Sequence, residues 1–167
     1  MIKLKSKLAG WYVWWKTYLA FRRLAKNAIT LPVSDKNVKN VLIFLPLENE
    51  YLDAALTLIR HLRQYFKNWH FMALDIRKIP PDKLDRFNLP DNEFLQDLTA
   101  NEFQLAIDLN FIHDIRMRYL MGKLAIPYRL HLQFSESSTY NLFTVTNQEN
   151  FAGFHHVFNY LKSSFVV

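Results

Sequence analysis

Apolar residues along this chain follow two alternating periods. Val41 to Leu45 is a continuous apolar run of strand length, the pattern of a strand covered on both faces. After the polar loop Glu48-Asn49-Glu50, apolar residues recur at Leu52, Ala55, Leu56, Ile59, Leu62 and Phe66, which is one face of a helix. Trp69 to Leu74 predicts a second strand. Residues 77–92, with Pro80-Pro81 and Pro90, predict an irregular crossing, and Glu93 to Thr99 a short helix. A buried strand, Phe103 to Asn110, comes next. It precedes a helix from Phe111 to Met121 that Gly122 is placed to end with a left-handed cap. Tyr128 to Phe134 and Asn141 to Thr146 predict strands around a polar turn, and Asn147 is placed to cap a last helix, Glu149 to Leu161. The alternation predicts an α/β fold: a three-layer sandwich with a mainly parallel, Rossmann-like sheet that includes Val41–Leu45, Phe71–Leu74 and Leu105–Leu109, with helices on both faces.

A different pattern precedes this body. Residues 3–29 predict a helix, with Pro32 and Ser34-Asp35 marking its exit, so residues 1–34 divide as a helix and linker from a single α/β domain over 35–167. On a helical wheel Ile2, Ala9, Val13, Ala20, Leu24 and Leu31 share a narrow uncharged stripe. Trp11, Trp15 and Tyr18 lie opposite, among Lys7, Arg22 and Lys26. Charge changes the picture here. Residues 1–34 hold seven cations and no acid, leaving fourteen basic against fifteen acidic residues in the rest, so the net +6 belongs to the first segment. Lys7, Trp11, Trp14, Trp15, Lys16, Tyr18, Arg22, Arg23 and Lys26 have the composition of a membrane-water interface, and that composition also suits a protein complex or RNA. A third reading docks the helix on its own domain. The membrane reading expects residues 1–31 to be removable without unfolding the body. No stretch reaches the roughly 18 apolar residues of a span. Lys16 interrupts the apolar start and no small-residue cleavage site follows, so this stretch is expected to be retained rather than cleaved.

The absence of cysteine excludes disulfides, thiolate metal sites and cysteine nucleophiles, and fits a cytoplasmic protein, whether free or at the cytoplasmic face of the inner membrane. Three glycines leave little room for a phosphate-binding or dinucleotide loop. His155 and His156 are adjacent, so they point to different faces of a helix and chelate poorly; no metal and no cofactor are expected. The candidate cleft lies at the carboxyl ends of the strands, where Glu48, Glu50, Tyr51, Asp108, Asn110 and His113 could converge. The bland alternative has Asn110 capping the next helix, with His113 and Asp114 solvated in its first turn.

The strand Val41–Leu45, the helix ending Leu58-Ile59-Arg60-His61-Leu62-Arg63, and the strand Phe103-Gln104-Leu105-Ala106-Ile107-Asp108-Leu109-Asn110 together resemble the amino-terminal domain of glycosyltransferase family 9, the lipopolysaccharide heptosyltransferases. The likeness spans roughly residues 40–132 and rests on apolar patterns. The chain is also similar to small stand-alone α/β proteins of unknown function from Bacteroidota. The resemblance implies the fold, while the residues argue against the activity. The family's loop glycines fall on Leu47, Glu48 and Glu50, its catalytic aspartate falls on Tyr51, and Asp53 lies about 200° around the helix from the cleft. Carboxylates in place of glycines would repel a phosphate. The family's donor-nucleotide domain has no counterpart in these residues. Two functions are therefore expected as alternatives: a non-catalytic interaction or accessory protein attached by its first helix, or a sugar-phosphate or nucleotide-binding enzyme using the strand-end cleft.

Overall fold

The computed structural model describes residues 2–25, 33–134, 139–144, 151 and 153–166. In chain order the elements are α1 (Ile2–Ala25), β1 (Val33–Ser34), β2 (Asn40–Phe44), α2 (Leu52–Tyr65), β3 (His70–Leu74), α3 (Asn92–Thr99), β4 (Leu105–Asp108), α4 (Ile115–Lys123), β5 (Tyr128–His131), β6 (Leu142–Phe143), α5 (His155–Ser164) and β7 (Phe165–Val166). Five strands form one parallel sheet in the order β3-β2-β4-β5-β6. β1 and β7 pair in parallel as a separate two-stranded ribbon.

This is a doubly wound order. Val41 and Ile43 of β2 face a core shared with Leu58 and Leu62 of α2 and Val157 and Leu161 of α5. Leu42 and Phe44 face the other side, where Val13 and Phe21 of α1, Leu95 of α3, and Met117 and Leu120 of α4 pack. Burial on both faces is why β2 reads as an unbroken apolar run. The chain changes sides between α2 and α3, so the seam between β2 and β4 is the switch point where such sheets place ligands.

Two sequence expectations need correction. The helix expected from Phe111 starts instead at Ile115, because Asp114 rather than Asn110 caps it, accepting from the Arg116 N–H at 2.7 Å. Gly122 does not end that helix. It lies inside α4, where an added Cβ would stand 2.5 Å from Thr17 Cγ2, so its role is to let α1 approach. The left-handed residue beyond α4 is Ala125, at φ 50°. Finally, α1 packs onto the body instead of standing apart from it, as the docked reading expects. Ala9, Val13, Thr17 and Phe21 are buried, and Val13 and Phe21 belong to the same core as the sheet. Of the expected features, residues 26–32 (with Lys26 and Leu31), the turn residues 135–138 and Asn147 lie outside the described residues.

The position of α1 has a structural reason. Parallel strands are usually joined by a crossover helix. The link from β5 to β6, residues 132–141, has none among its described residues. Phe21 of α1 covers that region, its ring 5.3 Å from the Arg129 guanidinium on β5. Arg129 is buried and donates to the carbonyls of Thr139 (2.6 Å), Ile126 (2.7 Å) and Pro127 (3.0 Å). Burial pulls its pKa down to about 10, which still leaves it charged at neutral pH.

Candidate functional site

Asp108 ends β4, and the sheet places it under complete burial. It accepts from the Asn110 side-chain amide at 2.8 Å, from the Asn110 N–H at 3.1 Å, and from the Tyr140 hydroxyl. Burial raises its pKa from 3.8 to about 6, against the opposing pull of Tyr140, Asn110 and His113. Burial likewise holds the Tyr140 phenol well above its ordinary value, with the Asp108 charge adding to the effect. The pair is thus an ionisable carboxylate holding a neutral phenol.

Asn110 is also buried, and it closes the switch point instead of capping a helix. Its Oδ1 accepts from the Leu47 N–H at 2.7 Å while its Nδ2 donates to the Leu45 carbonyl at 3.1 Å. The loop after β2 is thereby stitched to the loop after β4. On its other side Arg77 donates to the Leu47 carbonyl (2.7 Å) and Asn49 Oδ1 (2.8 Å) while paired with Asp75 at 2.9 Å. The Arg77 guanidinium holds the Asp75 carboxyl below its usual range.

The expected cleft therefore divides. Asp108, Asn110 and the more exposed His113 come together. Glu48 is half-buried; the bond to Asp75 raises the Arg77 pKa, and the Glu48 charge adds to that. Glu50 is exposed. Tyr51 packs edge-on to Phe111 (5.4 Å) and Phe151 (4.8 Å) on the α2–α5 side of the sheet. Asp53 lines a different cavity, about 430 Å³ between α2 and α5, together with His61 and His155.

The chemistry lies one strand further along, over β4, β5 and β6. The rings of His113, His131 and Tyr140 stack, with centroids 4.5 Å apart for His113–His131 and for His131–Tyr140, and 5.5 Å for His113–Tyr140. Burial depresses both histidine pKa values. The neighbouring His131 and Arg118 depress His113 further, against a partial pull from Asp108. Both imidazoles are consequently neutral at pH 7. Beside this stack a cavity of about 450 Å³ opens between α1 and the start of α4, bounded by Gly10 and Trp14 on α1 and by His113, Arg118 and Tyr140.

His131, Tyr140 and Arg118 are the members that sequence reasoning missed. Tyr140 and Asp108 are 32 positions apart, and no local pattern joins them. Among the described residues there is no cluster of three histidines or carboxylates that could hold a metal.

The remaining candidates lie on α1. Lys7, Trp11, Trp14, Trp15, Lys16, Tyr18, Arg22 and Arg23 are all exposed, Trp11 most of all at 68%. With Leu8 and Leu19 they give the helix a second apolar face opposite its buried one. Lys16 lies over the rings of Trp15 (5.0 Å) and Tyr12 (5.5 Å). Among the described residues no helix is long and apolar enough to cross a membrane.

These features define a doubly wound α/β protein whose first helix completes one face of the sandwich and shows aromatic and cationic side chains outward. No protein-family model, curated protein or solved structure matches the chain.

Proposed function

We propose that this protein is a non-catalytic interaction protein that attaches to an anionic membrane surface through the outer face of α1. One observation carries the reading: Leu8, Trp11, Trp15 and Leu19 are exposed on a helix whose opposite face buries Ala9, Val13, Thr17 and Phe21. A helix that only covered its own core would have no use for this second apolar face. Indole rings suit headgroup depth, and the cations around them suit a negatively charged leaflet such as the cytoplasmic face of an inner membrane. Seven cations without an acid in residues 1–34, set against a nearly neutral remainder, give the attraction its direction.

Glycosyl transfer is not part of this function. Tyr51 stands where the resemblance to family 9 would put an aspartate, and its ring is packed among Phe111 and Phe151. The loop before it is held by Asn110 and Arg77 rather than opened by glycine.

Co-sedimentation with vesicles tests the proposal. The protein is expected to bind phosphatidylglycerol-containing vesicles and to bind phosphatidylcholine vesicles much more weakly. Each cation near the surface contributes about 1 kcal/mol at low salt, so replacing Lys7, Arg22 and Arg23 by glutamine removes the salt-sensitive part. Replacing Trp11 and Trp15 by alanine removes the part that survives salt, because that part scales with buried apolar area. Failure to bind vesicles of any composition overturns the reading. Capture of RNA or of a protein partner by the same face, without vesicle binding, replaces it.

A further inference from the structure

Gly10 and Gly122 are both helical glycines on the facing helices α1 and α4, and only one has a packing reason. A Cβ on Gly122 would collide with Thr17. A Cβ on Gly10 would meet nothing closer than Ile115 Cδ1 at 4.0 Å. Gly10 has no positive φ. In mid-helix such a glycine costs stability relative to alanine. What its missing side chain leaves open is the cavity of about 450 Å³ between α1 and the start of α4, a volume typical of small-molecule sites.

The floor of that cavity contains a cation without a counter-ion among the described residues. Arg116 is committed: it pairs with Asp114 at 2.8 Å and donates to the Ile76 carbonyl. Asp114, the carboxylate at the cavity edge, is neutralised by that pairing. Arg118, one turn from Asp114, makes no ion pair among the described residues. Its Nε is buried without a hydrogen bond, and its guanidinium lies over the face of Phe21, at 5.6 Å. Arg118 is half-buried, and a guanidinium partly withdrawn from water gains from a partner. Beside it stand the neutral imidazole of His113 and the phenol of Tyr140, and the indole of Trp14 forms an aromatic wall.

We infer that this cavity binds a small organic anion with a flat apolar body, its carboxylate or phosphoryl group on Arg118 and its ring against Trp14. Arg118 supplies a planar donor fork that matches either anionic group. The site is independent of the outer face of α1: Trp11 and Trp15 do not border it, so the vesicle test and this one fail separately.

Calorimetric titration of the full chain with benzoate, phenyl phosphate, inorganic phosphate and benzamide tests the inference. Saturable binding of benzoate or phenyl phosphate is expected, and which of the two is tighter identifies the anionic group. Benzamide, which keeps the ring and loses the charge, is expected to bind at least about tenfold more weakly. Arg118→Gln should weaken the preferred anion by a similar factor. Gly10→Leu projects a branched side chain into the cavity from α1 and should weaken binding as well, with circular dichroism showing that the fold is retained. Equal binding of benzamide and benzoate, or no effect of both variants, overturns the inference. So does the absence of saturation with either aromatic anion. Inorganic phosphate binding as tightly as phenyl phosphate would refute recognition of the ring.

Discussion

Asp108 sits at the bottom of the site in a state that opposes folding at neutral pH. Its folded pKa of about 6 lies above the 3.8 of an unperturbed carboxyl, so the folded chain holds its proton more tightly than the unfolded chain does. Stability from this group is greatest below pH 3.8 and is lost as pH rises through 6. About two pKa units correspond to roughly 3 kcal/mol. His113 and His131 act in the opposite sense: their depressed pKa values give stability above pH 6.5 that is lost on acidification. Asp108→Asn isolates the carboxylate from the histidines. The variant accepts from Asn110 as before and is expected to be more stable than the parent at pH 7–8, with the advantage vanishing towards pH 4. Urea denaturation of both proteins across pH 4–8 checks this, and a parent at least as stable at pH 8 would show that Tyr140 and Asn110 outweigh burial. None of this was legible locally. The strand ending in Asp108 could be read from its apolar run, whereas its partner Tyr140 lies 32 positions on, next to Thr139, whose carbonyl Arg129 holds.

At the scale of elements, the two helical glycines separate what sequence can and cannot reveal. Near the end of an apolar period a glycine is an ordinary stop signal, and Gly122 carries that signature. The structure uses it for close approach of two helices far apart in sequence, a purpose that leaves the same local pattern. Gly122→Ala is expected to destabilise the protein by about 1–3 kcal/mol, because its Cβ would meet Thr17 Cβ at 2.7 Å and Cγ2 at 2.5 Å, and the Phe21 ring at 3.3 Å limits any shift. Gly10→Ala is expected to have the opposite sign, a gain of about 0.5–1 kcal/mol from helix propensity alone. Chemical denaturation of the two variants side by side measures both. Strands were easier to read. β2 and β4 are buried on both faces, so their apolar runs had few alternative explanations. The start of α4 was misplaced because Asn110 and Asp114 are both capable caps, and the choice depends on a contact between Asn110 and Leu47, 63 positions away.

For the molecule as a whole, the decisive question is whether α1 is an attachment or a layer. Charge and aromatic content pointed to an attachment, because they describe the outer face, and outer faces dominate the composition of a helix with a narrow docked stripe. The uncharged stripe was visible too, and Ala9 and Val13 from it are buried; what could not be seen was the gap it fills. That gap exists because β5 passes to β6 without a crossover helix among its described residues, and a helix from the start of the chain lies over it. The proposed attachment is compatible with this layer role, since the buried and exposed faces are opposite each other and surface binding would not require α1 to undock. Removing residues 1–25 tests the layer directly. Val13 and Phe21 are fully buried, and losing both is expected to cost about 3–6 kcal/mol at roughly 1.5–3 kcal/mol per side chain. Loss of Phe21 also uncovers Arg129, whose bonds to Thr139, Ile126 and Pro127 shape the approach to β6. Against a typical total of about 5–15 kcal/mol, that leaves a marginal or unfolded chain. The truncated protein is therefore expected to lose its cooperative thermal transition or to melt far below the parent. Trp11→Ala combined with Trp15→Ala should leave the transition almost unchanged, because those rings face away from the core. A truncated chain that melts like the parent would return α1 to the status of an appendage.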